Sequence, residues 1–83
     1  MNALIYTAKD CPHCAVAKRL LTSAGVKWVE RDVTGNAELI TEMMGVSNDA
    51  TTVPQIILND EHIGGCDDLI EMVREGKLRA KSA

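Results

Sequence analysis

The feature that most restricts this chain is a strand–helix–strand pattern at its start. Ala3-Leu4-Ile5-Tyr6-Thr7 is a short apolar run rich in strand formers. From Cys11 to Ala24 the spacing turns helical, with Val16 and Leu20 at i and i+4, Ala17, Leu21 and Ala24 widening the stripe, and Gly25 placed to end it. Val26 to Val33 reads as a second strand. Two strands joined by a single crossover helix are expected to be parallel, with a right-handed connection. This is half of a small α/β sheet.

The remainder supplies the other half. A second helix is expected from Asn36 to Met44, where Leu39 pairs with Met43 and Ile40 with Met44, and Gly45 ends it. Val46 to Val53 reads as loop. Pro54 precedes Gln55-Ile56-Ile57-Leu58, Asn59-Asp60 has turn chemistry, and Glu61-His62-Ile63 continues, which together make an antiparallel hairpin. Gly64-Gly65 punctuates it. A last helix runs from Asp67 to Glu75, burying Leu69, Ile70 and Val73, with Gly76 as its stop and a basic, frayed tail behind. The order βαβ, helix, β-hairpin, helix gives an α/β fold, a four-stranded mixed sheet flanked by three helices. With no repeat, linker or low-complexity stretch, residues 1–83 read as one domain. No Phe, one Tyr and one Trp leave an aliphatic, methionine-filled core.

Charge and cysteine usage narrow the chemistry. A net charge of −3 and the lack of a basic stripe argue against a general nucleic-acid binder. The opening apolar run is broken by Lys9 and Asp10, too short for a signal core or a membrane span. Three cysteines, an odd count with Cys11 and Cys14 close together, do not read as a secreted disulfide framework. The reading is a soluble, cytoplasmic monomer, and in a reducing compartment a C-x-x-C means redox chemistry or metal.

Cys11-Pro12-His13-Cys14 sits at the first strand–helix junction. Pro12 suits the first helical position, where its missing N–H costs nothing, and this puts Cys11 at the N-cap. There its sulfur faces unpaired backbone N–H groups and the positive end of the helix dipole, which favour thiolate and can lower a cysteine pKa from ~8.5 to about 3.5–7.5. Cys11 is the expected nucleophile, and Cys14, one turn on and deeper, the resolving thiol. His13 reads as an exposed side chain flanking the thiolate. The metal alternative gathers Cys11, Cys14, His62 and Cys66 around zinc, although His62-x-x-x-Cys66 beside a Gly-Gly turn is unlike the short-spaced ligand pairs of structural zinc sites.

At this point the chain resembles the dithiol glutaredoxins of the thioredoxin fold. Tyr6-Thr7 stands before Cys11-Pro12-His13-Cys14, Thr52-Val53-Pro54 before the third strand, and Gly64-Gly65-Cys66-Asp67-Asp68 at the last helix, so the likeness spans about residues 3–76. The resemblance implies a glutathione-dependent thiol–disulfide oxidoreductase, with glutathione as co-substrate, no metal, and glutathionylated or disulfide-containing proteins as partners. It implies a cis Pro54, the Val53 backbone pairing with glutathione's cysteine as a strand would, and Thr52 beside it. Gly65, Cys66 and Asp67 match positions that hold the γ-glutamyl end. Many members carry Tyr where His13 stands, some carry Lys where Ala8 stands, and a basic residue is frequent where Thr51 stands. Lys9 is then the side chain to reach glutathione's glycine carboxylate. Cys66 reads as a small hydrophobe at a helix start, with a helix-lowered pKa as its other reading. Rival functions are a thioredoxin-like reductant served by a flavoprotein reductase, which does not need the Gly-Gly-Cys-Asp-Asp motif, and an iron–sulfur module, which Pro12 opposes.

Overall fold

The computed structural model describes residues 1–78. Its elements are β1 (Asn2–Thr7), α1 (Pro12–Ser23), β2 (Lys27–Asp32), α2 (Ala37–Val46), β3 (Gln55–Leu58), β4 (Glu61–Gly64) and α3 (Cys66–Arg74). The sheet order is β2-β1-β3-β4. β1 and β2 are parallel, from Asn2 opposite Lys27 to Thr7 opposite Asp32, and β1 and β3 are antiparallel. Asn59 and Asp60 both take positive φ, 49° and 67°, which suits the two-residue turn that joins β3 to β4.

Alternation along β1 divides the core between two faces of the sheet. Ala3 and Ile5 pack with Ala17 and Leu21 of α1, Ile56 of β3 and Leu69 of α3. Leu4 and Tyr6 face the other way, against Val33 and against Leu39 and Met43 of α2. Tyr6 is buried to its hydroxyl, which donates to the Glu42 carboxylate at 2.6 Å. Burial, and then that carboxylate, push the Tyr6 phenol up to about 12. Glu42 also meets Arg31 Nε at 3.3 Å, so α2 is tied to both β1 and β2.

Four local expectations are corrected. The buried row of α1 is Cys14, Ala17 and Leu21, at i, i+3 and i+7, while Val16 is 36% exposed. The alanine in that row lets the helix lie close on the sheet and turns Val16 outward. α2 continues through Gly45 to Val46, because Gly45 stays right-handed and the stop is made by Ser47, whose hydroxyl donates to the Met43 carbonyl at 2.5 Å. α3 begins one residue early, at Cys66, with Gly65 as N-cap.

The fourth correction concerns the tail. Beyond α3, Gly76 N–H donates to the Val73 carbonyl and Lys77 N–H to Met72, the paired bonds of a Schellman cap, as Gly25 and Val26 do at the end of α1. That reversal drives Leu78 into the core, fully buried, so the tail is not frayed at Lys77 and Leu78; the rest of it lies outside the described residues. Leu78→Ala should cost about 2–4 kcal/mol as a core truncation, read as a lower urea midpoint. A loss below about 0.5 kcal/mol, the level of a surface change, would return Leu78 to a frayed end.

Candidate active site

The chain leaves β1 through a loop held on its β2 side. Thr7 is buried; its carbonyl accepts from Val33 N–H at 2.8 Å and its hydroxyl donates to Glu30 Oε2 at 2.6 Å. The Thr7 hydrogen bond, followed by that from Lys18, keeps the Glu30 carboxyl below its ordinary range. Lys9 N–H donates to Thr34 Oγ1 at 2.9 Å, and Asp10 turns left-handed at φ 55°. Cys11 then arrives as the N-cap of α1 with Pro12 in the first turn, and Cys11 Sγ accepts from Cys14 N–H at 3.1 Å. The sulfur does here what a serine or aspartate oxygen does at other N-caps.

The sulfurs of Cys11 and Cys14 stand close enough to bond to each other, with Cα atoms 5.2 Å apart. Their access differs. Cys11 is half-buried, whereas Cys14 is 2% exposed on the sheet side of α1. A sulfur at a helix N-terminus with a partner one turn deeper is placed to make and break a disulfide bond with it.

A groove of about 440 Å³ runs beside this junction. Seven of the expected site residues line it, namely His13, Thr52, Val53, Pro54, Gly65, Cys66 and Asp67, and the Val53–Pro54 bond is cis. The Gly-Gly pair makes the close approach. At Gly64, φ 114°, a Cβ would run into the Asp68 carboxylate, which accepts from Gly65 N–H at 2.9 Å. At Gly65 a Cβ would stand 3.2 Å from the Pro54 carbonyl. The N-terminus of α3 therefore abuts the proline loop. Its first backbone N–H groups have no partner within the helix, and Asp67 is exposed among them.

Lys9 is not brought to the groove. It is absent from the lining, and its backbone N–H is held on Thr34. Cys66 lines the groove yet is only 5% exposed, and burial, with Asp67 adding to it, pushes its thiol up. The helix-lowered reading of Cys66 is thus corrected, because removal from water, with the Asp67 charge adding to it, favours the protonated thiol. The zinc set is not assembled either. His62 Nε2 lies 2.8 Å from Gln55 Oε1, Cys66 belongs to the core, and no three His, Cys, Asp or Glu side chains among the described residues are grouped to hold a metal.

Gln55, His62 and Asp68 also line the groove and were not expected there. The signal for Gln55 is its place in β3, a polar side chain two positions before Ile57 on the same face. In the reduced protein Cys11 should be alkylated first at pH 7 and Cys66 last, as mapped by mass spectrometry. The Cys66 rate should still be climbing above ~8.5, where an ordinary thiol is half ionised, because burial favours its protonated form. Modification of Cys66 before Cys11 would contradict this.

Comparison with known proteins agrees with this geometry. A family model described as Glutaredoxin matches residues 3–63. The chain is 48% identical over 77 residues to Glutaredoxin 3 of Escherichia coli (strain K12), covering 93% of this chain and 92% of that one. The solution structure of glutaredoxin from Brucella melitensis superposes with a TM-score of 0.79 at 42% identity, over 94% of this chain and 84% of that chain. The dithiolic glutaredoxin 2-C-Grx1 of Trypanosoma brucei brucei gives 0.78 at 30% identity, over 92% and 80%. The mixed sheet with its three helices is the thioredoxin-like fold of these proteins. With a cysteine pair close enough to bond at the mouth of α1 and this likeness over nearly its whole length, the chain belongs to the glutaredoxin family, whose members are in general thiol–disulfide oxidoreductases.

Proposed function

We propose that the protein is a glutathione-dependent oxidoreductase that reduces glutathione mixed disulfides and protein disulfides through Cys11 and Cys14, as a cytoplasmic monomer. The observation that carries this reading is the half-buried Cys11 sulfur capping α1, 3.1 Å from Cys14 N–H, with His13 of the same first turn lining the open groove. Donors that hold a sulfur at the N-cap favour its thiolate, which is the attacking species in disulfide exchange.

In the proposed cycle the Cys11 thiolate attacks the glutathione sulfur of a mixed disulfide. The protein sulfur leaves with the electron pair and takes a proton from water, and Cys11 becomes glutathionylated. A second glutathione thiolate attacks that glutathione sulfur, releasing glutathione disulfide and restoring the Cys11 thiolate. With a protein disulfide, Cys11 forms a mixed disulfide with the substrate. Cys14 then attacks Cys11 Sγ, the substrate leaves reduced, and two glutathiones later reopen the Cys11–Cys14 bond. The groove supports glutathione as the partner: Val53 offers a backbone edge, α3 offers N–H groups to a carboxylate, and Asp67 offers its own carboxylate to an ammonium.

Cys14→Ser should retain reduction of a glutathionylated peptide, since glutathione itself resolves the intermediate, and lose reduction of a protein disulfide, whereas Cys11→Ser should lose both. Equal loss of both activities in the two folded variants would sink the proposed roles. Asp67→Ala should raise the KM for the glutathionylated peptide about three- to tenfold, the worth of one charge-assisted contact in a wet groove, with the alkylation rate of Cys11 unchanged. An unaltered KM would leave Asp67 as a residue of the α3 first turn and nothing more.

A further inference from the structure

We propose that His62, acting through Gln55, is a positioning residue for the Thr52-Val53-Pro54 loop and so sets how tightly the groove holds its ligand; this rests on the glutathione reading above. His62 lies opposite Ile57, and Gln55 precedes Ile57 by two positions, so both polar side chains stand on one face of the β3–β4 hairpin. Gln55 is 6% exposed and His62 half-buried. Gln55 Nε2 reaches the Thr52 carbonyl at 3.0 Å and the Thr52 hydroxyl at 3.3 Å, while His62 Nε2 reaches Gln55 Oε1 at 2.8 Å.

The direction of this relay follows from which groups can donate. A backbone carbonyl only accepts, so the amide nitrogen of Gln55 must face Thr52 and its oxygen must face the imidazole. That oxygen also only accepts, so the proton sits on His62 Nε2. The chain of donation therefore runs from His62 to Gln55 to the Thr52 carbonyl, across Pro54 and back into the loop. Pro54 is buried and Val53 packs half-buried against the Tyr6, Val33 and Met43 cluster, whereas Thr52 is exposed, so packing holds the Pro54 end of the loop and the relay ties its Thr52 end to β3 and β4. Val53 is the backbone edge assigned to the ligand, and a shift of that edge loosens binding while leaving the sulfur chemistry at α1 alone.

The test compares the wild-type protein with His62→Ala, Gln55→Ala, the double variant and His62→Gln, whose amide N–H can take the place of imidazole Nε2–H. With a glutathionylated peptide and glutathione, each single alanine change should raise KM about three- to tenfold, the range of one lost hydrogen bond. The double variant should be no worse than either single one, as expected for members of one network. The kcat and the alkylation rate of Cys11 should stay within about twofold, and His62→Gln should restore KM, which a general loss of packing would not allow. Nitrogen-15 spectra of the wild type should show the Nε2–H tautomer of His62. An unchanged KM in both alanine variants, a parallel fall in kcat and Cys11 alkylation, failure of His62→Gln to restore KM, or an Nδ1–H tautomer would each overturn the proposal. Should the wild type show no glutathione-linked turnover, the functional reading fails by itself. The relay is then decided by the tautomer and by whether the Thr52 and Val53 amide resonances move in both alanine variants, and their staying in place overturns it.

Discussion

Strand β1 is hydrogen-bonded along both edges and packed on both faces, and the other elements take their places from it. β2 runs parallel on one side and β3 antiparallel on the other. Ile5 and Tyr6, adjacent and both almost wholly buried, anchor opposite core clusters. A strand confined in this way cannot slip by one residue without exchanging its two sets of side chains. Its C-terminal end is fixed as a result. Thr7 joins β1 to Glu30 of β2, and Glu30 in turn meets Lys18 of α1 at 3.1 Å. That ion pair is about one-third exposed on each side, so its worth lies within the small range of surface pairs. The burial of β1, more than the pair, determines where Cys11 emerges.

Two cysteines at helix starts then show which local effect prevails. Cys11 caps α1 with its sulfur accepting a backbone N–H, and it keeps access to the surface. Cys66 opens α3 in a comparable electrostatic position, yet it belongs to the core cluster that includes Leu69, and burial pushes its thiol up. A helix terminus favours an anion by a modest amount, and removal from water disfavours it by more. Cys11 is the N-cap of α1 and Cys66 the first residue of α3, one position further in, and it is burial that holds the second as a protonated thiol.

The groove between the proline loop and α3 carries its polarity unevenly. Asp67 and Asp68 line it, no Lys or Arg does so among the described residues, and Asp68 is committed to the Gly65 N–H. His13 and His62 are the lining side chains able to carry positive charge. Gly64 and Gly65 allow this wall to form, since a side chain at either position would meet the Asp68 carboxylate or the Pro54 carbonyl.

Much of this was legible in the sequence because it depends on neighbours along the chain. Apolar runs and spacing marked β1, β3 and the three helices, Pro12 after Cys11 marked the N-cap, Asn59-Asp60 marked the hairpin turn, and Gly25 and Gly76 marked helix ends. On α1 spacing placed Val16 and Leu20 at the centre of the apolar stripe, and contact with the sheet chose Cys14, Ala17 and Leu21 instead. Gly45 looked like a stop and is not one, since Ser47 ends α2 and nothing crowds the glycine. The inward path of Leu78, the burial that sets Cys66 apart, the separation of Lys9 from the groove and the meeting of His62 with Gln55 and Thr52 all join residues through space. The sequence alone determined the order of elements and the reactive cysteine pair, because helix caps, turns and amphipathic periods are local physics. The tertiary structure alone decided which polar groups lose water and which meet one another, because burial and distance exist only once the sheet has brought distant segments together.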